Sequence, residues 1–518
     1  MEGSNTTLTG APISFHHLYE AATPQHIPFN LGPNFNADVQ KFLFIPTKRN
    51  APFRTNRHDL AQGNVVNRAL AALRGSPSAG NVNEAAAQDH AIFLDFERFL
   101  MPVINEALAS DAHLGARWAP GDSGSLQRCD TVSEFGVSRR PVEDFRKTKA
   151  LVPSQSQWAH LNSLRMHSGS PERSEVGIKK LTEYYAQLVF INHKFDLNAK
   201  KMHQSFGWYE AFSTERLVLS PCIHFEMAAV LYNIAAIYSQ LACTQPLWSI
   251  HGKKLAADYF KKSAGIFIYL RDTHSQRIQV RLDKTSDLTE TSLNAAAQIM
   301  SAQAMECYFD KANEDKKSSP VMSKISAQTA DFFDLAVKFS KEGLNVLSKQ
   351  RFPKIWLHQL TAKTYLYAAI AHLHAPLLLV AEQALGERVA RLSVSKTLAH
   401  RALKSSKDAG GSVHEIVKAY VDSIQSSYSL AEAANFEKHH HPHIDVSLAS
   451  SLARPAQTLV HPIPGSETLG DLSMFTDFFA AYKPLEIDAD LSCLATYAVQ
   501  VVEGATRELE TSKTEIER

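Results

Sequence analysis

From residue 222 to 243 the chain reads Cys-Ile-His-Phe-Glu-Met-Ala-Ala-Val-Leu-Tyr-Asn-Ile-Ala-Ala-Ile-Tyr-Ser-Gln-Leu-Ala-Cys. Val230, Ile234, Ile237 and Leu241 recur at helical spacing, Met227, Leu231 and Tyr238 widen the stripe, and alanines fill the gaps. A segment apolar nearly all round predicts a core helix wrapped by other helices. Asn233 and Gln240 are its polar exceptions. The same period predicts helices over 252–272, 288–312, 354–392, 396–407 and 413–436. Ser319 and Pro320 read as the N-cap and first residue of a further helix, with Ile325, Phe332, Ala336 and Phe339 as its inner face. Upstream, 60–73 and 89–108 also read as helices, the second with Phe93, Phe96, Phe99 and Val103 in a stripe. Residues 74–90 are rich in Gly, Ser and Asn, and 109–156 show no period, so about 74–156 reads as a low-complexity insertion. Residues 437–465, with four prolines, read as an extended loop. Residues 364–381 carry no Asp, Glu, Lys or Arg and approach the ~18 residues of a membrane span. His372, His374 and Pro376 in their middle favour a buried, proline-kinked helix instead.

Several motifs follow one another in a fixed order. Leu181-Thr-Glu-Tyr184-Tyr185-Ala-Gln187-Leu188 precedes Lys194-Phe195, then Phe206-Gly-Trp208-Tyr209-Glu-Ala-Phe212, then Phe225-Glu226 and the core helix. Ser301-Ala-Gln303-Ala304-Met-Glu306 and Leu385-Gly-Glu387-Arg-Val389-Ala-Arg391-Leu392 come later. The series resembles the Bro-one (BRO) domain family, to which Alix, the rhophilins, the fungal PalA and PalC proteins and BROX belong. The resemblance covers roughly 42–75 and 158–465, with a weaker echo to about 505. It implies a mainly all-α, elongated, banana-shaped domain: a TPR-like helical-hairpin solenoid core with a short extended segment near the N-terminus, here 42–46. On this reading residues 1–41 are a leader, 42–465 the BRO domain, and 466–518 a C-terminal extension, mostly helical. The organisation matches single-BRO-domain members best.

A polar turn at 313–319 predicts an antiparallel hairpin that sets Tyr308 beside Val321 and Ile325, which share a helix face. The resemblance identifies these three positions with the family's groove for the C-terminal amphipathic helix of an ESCRT-III subunit, where relatives carry Phe, Ile and Leu. Lys254 matches a basic position at its rim, and Ile250 stands where Alix has an acid. The implied function is a non-enzymatic ESCRT-associated adaptor linking that subunit to a receptor or cargo adaptor in endosomal sorting, membrane remodelling or pH-signalling complexes. A rhophilin-like small-GTPase scaffold is the alternative.

Charge and composition narrow this further. The chain has 54 basic and 53 acidic residues, a net charge of +1, which excludes a bulk nucleic-acid surface and leaves peripheral membrane association to local patches. The five cysteines (Cys129, Cys222, Cys243, Cys307, Cys493) are odd in number and widely spaced, so they read as reduced thiols of a cytoplasmic protein; the resemblance implies its recruitment to endosomal or plasma membrane. There is no G-x-S-x-G, phosphate-binding glycine loop or HExxH, so no catalytic residue and no cofactor is assigned. The tract His439-His440-His441-Pro442-His443 reads as a solvated loop rather than a metal site.

Overall fold

Most of the expected helices are observed where the chain is described, and one sheet joins them. The computed structural model describes residues 42–55, 100, 104, 153–195, 197, 204–278, 282–344, 351–377, 381–438, 452–453 and 455–482. In chain order the elements are β1 (Asn50–Thr55), α1 (Gln155–Gly169), α2 (Glu175–Lys194), β2 (Gln204–Glu210), β3 (Ser213–Ser220), α3 (Ile223–Cys243) and α4 (Ile250–Thr273). After these come α5 (Glu290–Glu314), α6 (Ser319–Lys341), α7 (Lys354–Leu373), α8 (Ala381–Ser406), α9 (Gly411–Lys438) and the short α10 (Gly465–Leu469). The mainly helical class expected from the sequence is thus observed.

Several expectations need correction. The extended segment near the N-terminus is not alone: β1 pairs antiparallel with β2, and β2 with β3, in a three-stranded sheet. Residues 364–381 are not one kinked helix. The α7 helix stops at Leu373, with His374 as its C-cap, because the residue before a proline avoids the helical region and Pro376 follows closely. Residues 396–407 are the second half of α8 rather than a separate helix. The N-cap of α6 is Ser318, not Ser319: the amides of Val321 and Met322 both bond to the Ser318 carbonyl, and no side chain caps the end. Its inner face is Met322, Ile325, Thr329, Phe333 and Ala336, with Phe332 and Phe339 only half-buried on the flank. The helices expected over 60–73 and after Pro484, most of that over 89–108, and the histidine tract lie outside the described residues; Leu100 and Ile104 are helical and buried.

The described residues form two compact units. One holds the segment up to Pro46, Ala235–Asp272 and Leu282–Thr468; the other holds Thr47–Ile234, Thr273–Arg281 and the residues from Leu469 onward.

In the first unit α5 to α9 pack each against the next, the solenoid pattern of helical hairpins. Ser323 Oγ donates to the Ala371 carbonyl (2.8 Å) and Ser395 Oγ to that of Ala369 (2.8 Å), pinning α6 and α8 to α7. The extended entry is held by side-chain amides in place of a strand partner. Gln303 accepts from Leu43 N–H (2.5 Å) and donates to the Leu43 carbonyl (3.0 Å), while Ser239 accepts from Ile45 N–H (2.9 Å) and Gln240 donates to the Ile45 carbonyl (2.8 Å). Beneath it Lys363 pairs with Glu306 at 2.8 Å, both buried, and the ammonium lies over the rings of Phe42 and Phe333.

In the second unit the motif residues converge on one carboxylate. Glu226, fully buried, receives the Tyr184 hydroxyl (2.7 Å) and the Trp208 indole N–H (2.6 Å) and pairs with Arg165 Nε (3.2 Å). Burial and the neighbouring carboxylate push the Tyr184 phenol well above the usual tyrosine range, so it stays a donor. Asn233 brackets Lys48, accepting from its N–H (2.6 Å) and donating to its carbonyl (3.0 Å). Tyr185 hydroxyl meets His274 Nε2 (2.8 Å), and His274 Nδ1 meets His224 Nδ1 (3.1 Å). Phe479 packs edge-on against Trp158 and Phe195, while Gln187 bonds the backbone of Thr476 and Phe478. Many of the motif residues therefore serve as internal hydrogen-bond anchors.

Candidate functional site

Tyr308 lies on the last turns of α5 and is 38% exposed although Cys307 and Phe309 on either side are buried. The helix then ends in a Schellman turn: Lys317 N–H bonds the Ala312 carbonyl (3.0 Å), Lys316 N–H the Asn313 carbonyl (3.1 Å), and Lys316 takes a φ of 50°. That turn reverses the chain into α6, whose first turn presents Val321, 41% exposed. Ile325, one turn on, is only 8% exposed. The four expected residues therefore divide. Tyr308 and Val321 offer apolar surface at the hairpin, whereas Ile325 is buried and belongs mainly to the core.

Lys254 stands on the first turns of α4 and is exposed. Its neighbour Lys253 is buried and pairs with Glu314 at the end of α5, which brings the start of α4 to the hairpin. Asp315 sits in the turn itself. The Lys311 hydrogen bond (2.5 Å), with the charges of Lys311, Lys317 and Lys254, holds its carboxyl below the usual aspartate range. Ile250, one turn before Lys254 on α4, is 53% exposed. The rim thus combines lysines with an isoleucine.

The loop read as extended over 437–465 adds one residue that was not among the expected site residues. The segment 455–464 returns along the first unit, and Leu459 N–H bonds Gln328 Oε1 (3.0 Å), one turn beyond Ile325 on α6. Leu459 itself is 43% exposed, so it adds an apolar border on that side. The segment then reaches α4, where Ile463 N–H bonds the Lys261 carbonyl (3.1 Å). A Cβ at Gly265 would come within 1.6 Å of the Ile463 carbonyl oxygen, so only glycine admits this approach. A proline-rich loop carries no helical period, and 131 residues separate Leu459 from Gln328.

Among the described residues no group of three or more His, Cys, Asp or Glu could hold a metal ion, and no described helix is long and apolar enough to cross a membrane. Cys222, Cys243 and Cys307 are present as reduced thiols, and burial pushes Cys243 up to about 12. Cys129 and Cys493 lie outside the described residues.

Comparison with known proteins places these features in context. A family model described as "BRO1-like domain" matches residues 149–498. "ALG-2 interacting protein X" of Dictyostelium discoideum is 32% identical over 302 residues, 58% of this chain and 37% of that protein. "pH-response regulator protein palA/prr-1" of Neurospora crassa is 31% identical over 251 residues, 48% of this chain and 28% of that protein. The chain thus spans well under half the length of either relative. The solved "ALIX BRO1 CHMP4C complex" superposes with a TM-score of 0.54 over 66% of this chain and 95% of that one; at 24% identity the likeness is one of fold.

Proposed function

The chain belongs to the BRO1-like domain family, and from that premise we propose that it is a non-enzymatic adaptor that holds the C-terminal amphipathic helix of an ESCRT-III subunit. The observation that carries this reading is the pair Tyr308 and Val321, both exposed on the two arms of the α5–α6 hairpin, with Ile325 buried one turn beyond Val321 and Lys254 exposed on the first turns of α4. A helix with apolar residues at i, i+3, i+4 and i+7 fits such a shallow groove. Each well-buried anchor contributes about 1.5–3 kcal/mol before ordering costs. Two or three anchors then support affinity of order micromolar, suited to reversible assembly. Support also comes from the solved relative of the same fold, whose partner is CHMP4C.

The adaptor joins this helix to a receptor or cargo complex at endosomal membranes, acting from the cytoplasm. A pH-response regulator among the relatives makes a pH-signalling complex one such destination. The test is a titration of the full chain against fluorescent C-terminal helices of ESCRT-III subunits, read by anisotropy. Saturable micromolar binding supports the proposal. Absence of binding to every subunit overturns it.

A further inference from the structure

Trp248 is 80% exposed and Ile250 53%, both at the loop leading into α4. Single exposed apolar residues are ordinary; this pair is set apart by its rigidity and its company. The loop is built, not trailing: Ser249 N–H bonds the Pro246 carbonyl (3.1 Å), Gly252 N–H bonds Ser249 Oγ (2.9 Å), and a Cβ on Gly252 would come within 2.0 Å of the Pro246 oxygen. Two turn-end contacts bring the α5–α6 turn to the same end of the first unit. Lys253 pairs with Glu314, and the Lys254 charge acts on Asp315.

That end carries Lys253, Lys254, Lys311, Lys316, Lys317 and Lys324 against Glu314 and Asp315. Both carboxylates are engaged, Glu314 by Lys253 and Asp315 by Lys311, with Lys317 at 4.0 Å. Lys254, Lys316, Lys317 and Lys324 are exposed. Since the whole chain has a net charge of only +1, the excess is a local feature.

We propose that this end docks on anionic lipid bilayers, Trp248 and Ile250 entering the headgroup region while Lys254, Lys316, Lys317 and Lys324 face the lipid charges. An indole is apolar in body and polar at its N–H, so it favours the membrane–water interface. Lysines extend apolar stems and leave their ammonium groups among the headgroups. Attraction to an anionic leaflet grows with each basic residue near the surface and falls with salt. A peptide anchored on Trp248 would need walls around the ring; at 80% exposure the indole protrudes. Ile250 and Lys254 also border the proposed groove, so Trp248, Lys316 and Lys317 are the residues that separate lipid docking from helix binding.

Co-sedimentation of the full chain with phosphatidylcholine vesicles, with and without phosphatidylserine, tests it. Binding is expected to require phosphatidylserine, to weaken as salt rises, and to shift tryptophan emission to the blue. Trp248→Ser with Ile250→Ser should weaken it clearly, and separately Lys316→Glu with Lys317→Glu about thirtyfold or more, while circular dichroism stays unchanged. No binding of the unaltered chain to anionic vesicles overturns the proposal, as does binding unchanged in both variants. If vesicle binding is nil and Trp248→Ser with Ile250→Ser instead weakens capture of an ESCRT-III helix, the surface belongs to the groove and the lipid proposal fails.

Discussion

Aspartate at 325 and aspartate at 321 should fail for different reasons. Ile325 is 8% exposed, and Met322 and Thr329 beside it on α6 are fully buried. A carboxylate there is a buried charge without a partner, a change that typically costs about 3–5 kcal/mol. Domains are stable by only about 5–15 kcal/mol, so Ile325→Asp confuses lost folding with lost binding. Val321 is 41% exposed, and a surface change of this kind usually moves stability by less than about 0.5 kcal/mol. Full burial of a valine is worth about 1.5 kcal/mol. Covering the exposed 41% therefore contributes about 0.6 kcal/mol, and Val321→Ala should weaken a partner helix about threefold. Val321→Asp also forces a carboxylate out of water, about 1–3 kcal/mol more, for a loss of roughly ten- to several-hundred-fold. Urea denaturation reads the stability and helix anisotropy reads the affinity. A folded Val321→Asp protein that binds within about twofold of the original refutes the reasoning.

Three further outcomes follow from the interior. Glu226→Gln removes the carboxylate charge paired with the buried Arg165, and chemical denaturation should record a loss of about 3–5 kcal/mol; a loss below about 1 kcal/mol contradicts the role given to this carboxylate. Burial, His224 and Arg277 push His274 down from 6.5 to about 3 in the folded protein. The unfolded chain therefore takes up the proton first, so stability falls as pH drops from about 6.5 toward 3. By pH 5 this group alone withdraws about 2 kcal/mol. Denaturation curves across this range should show the slope and His274→Gln should flatten it; an unchanged slope in the variant excludes His274 as its source. Gly265→Ala places a methyl 1.6 Å from the Ile463 oxygen, so limited proteolysis should cut 455–464 faster, and an unchanged rate contradicts the tight approach.

The sequence carried the helices because burial on most sides leaves a period of 3.6. The core helix read from 222–243 is observed as Ile223–Cys243, and its polar exceptions Asn233 and Gln240 prove to hold the backbone of Lys48 and Ile45. The hairpin at 204–220 was not legible as strands, since Phe206, Trp208 and Tyr209 do not alternate cleanly, and β1 joins it from some 150 residues away. Pairings such as Arg165 with Glu226 and Lys363 with Glu306 were equally hidden, because partners so far apart leave no local pattern. Of the site, spacing located the hairpin and its apolar residues. It could not tell that Val321 faces water while Ile325 does not, nor that Leu459 bonds Gln328 one turn beyond Ile325.

Photo-crosslinking from position 308 addresses the groove most directly. A benzoylphenylalanine replacing the half-exposed Tyr308 should, on irradiation, attach to the apolar face of an ESCRT-III C-terminal helix. The adduct should disappear with excess unlabelled helix and in the Val321→Asp background. No adduct at saturating helix, or one indifferent to competitor and to Val321→Asp, would contradict the assignment of this groove.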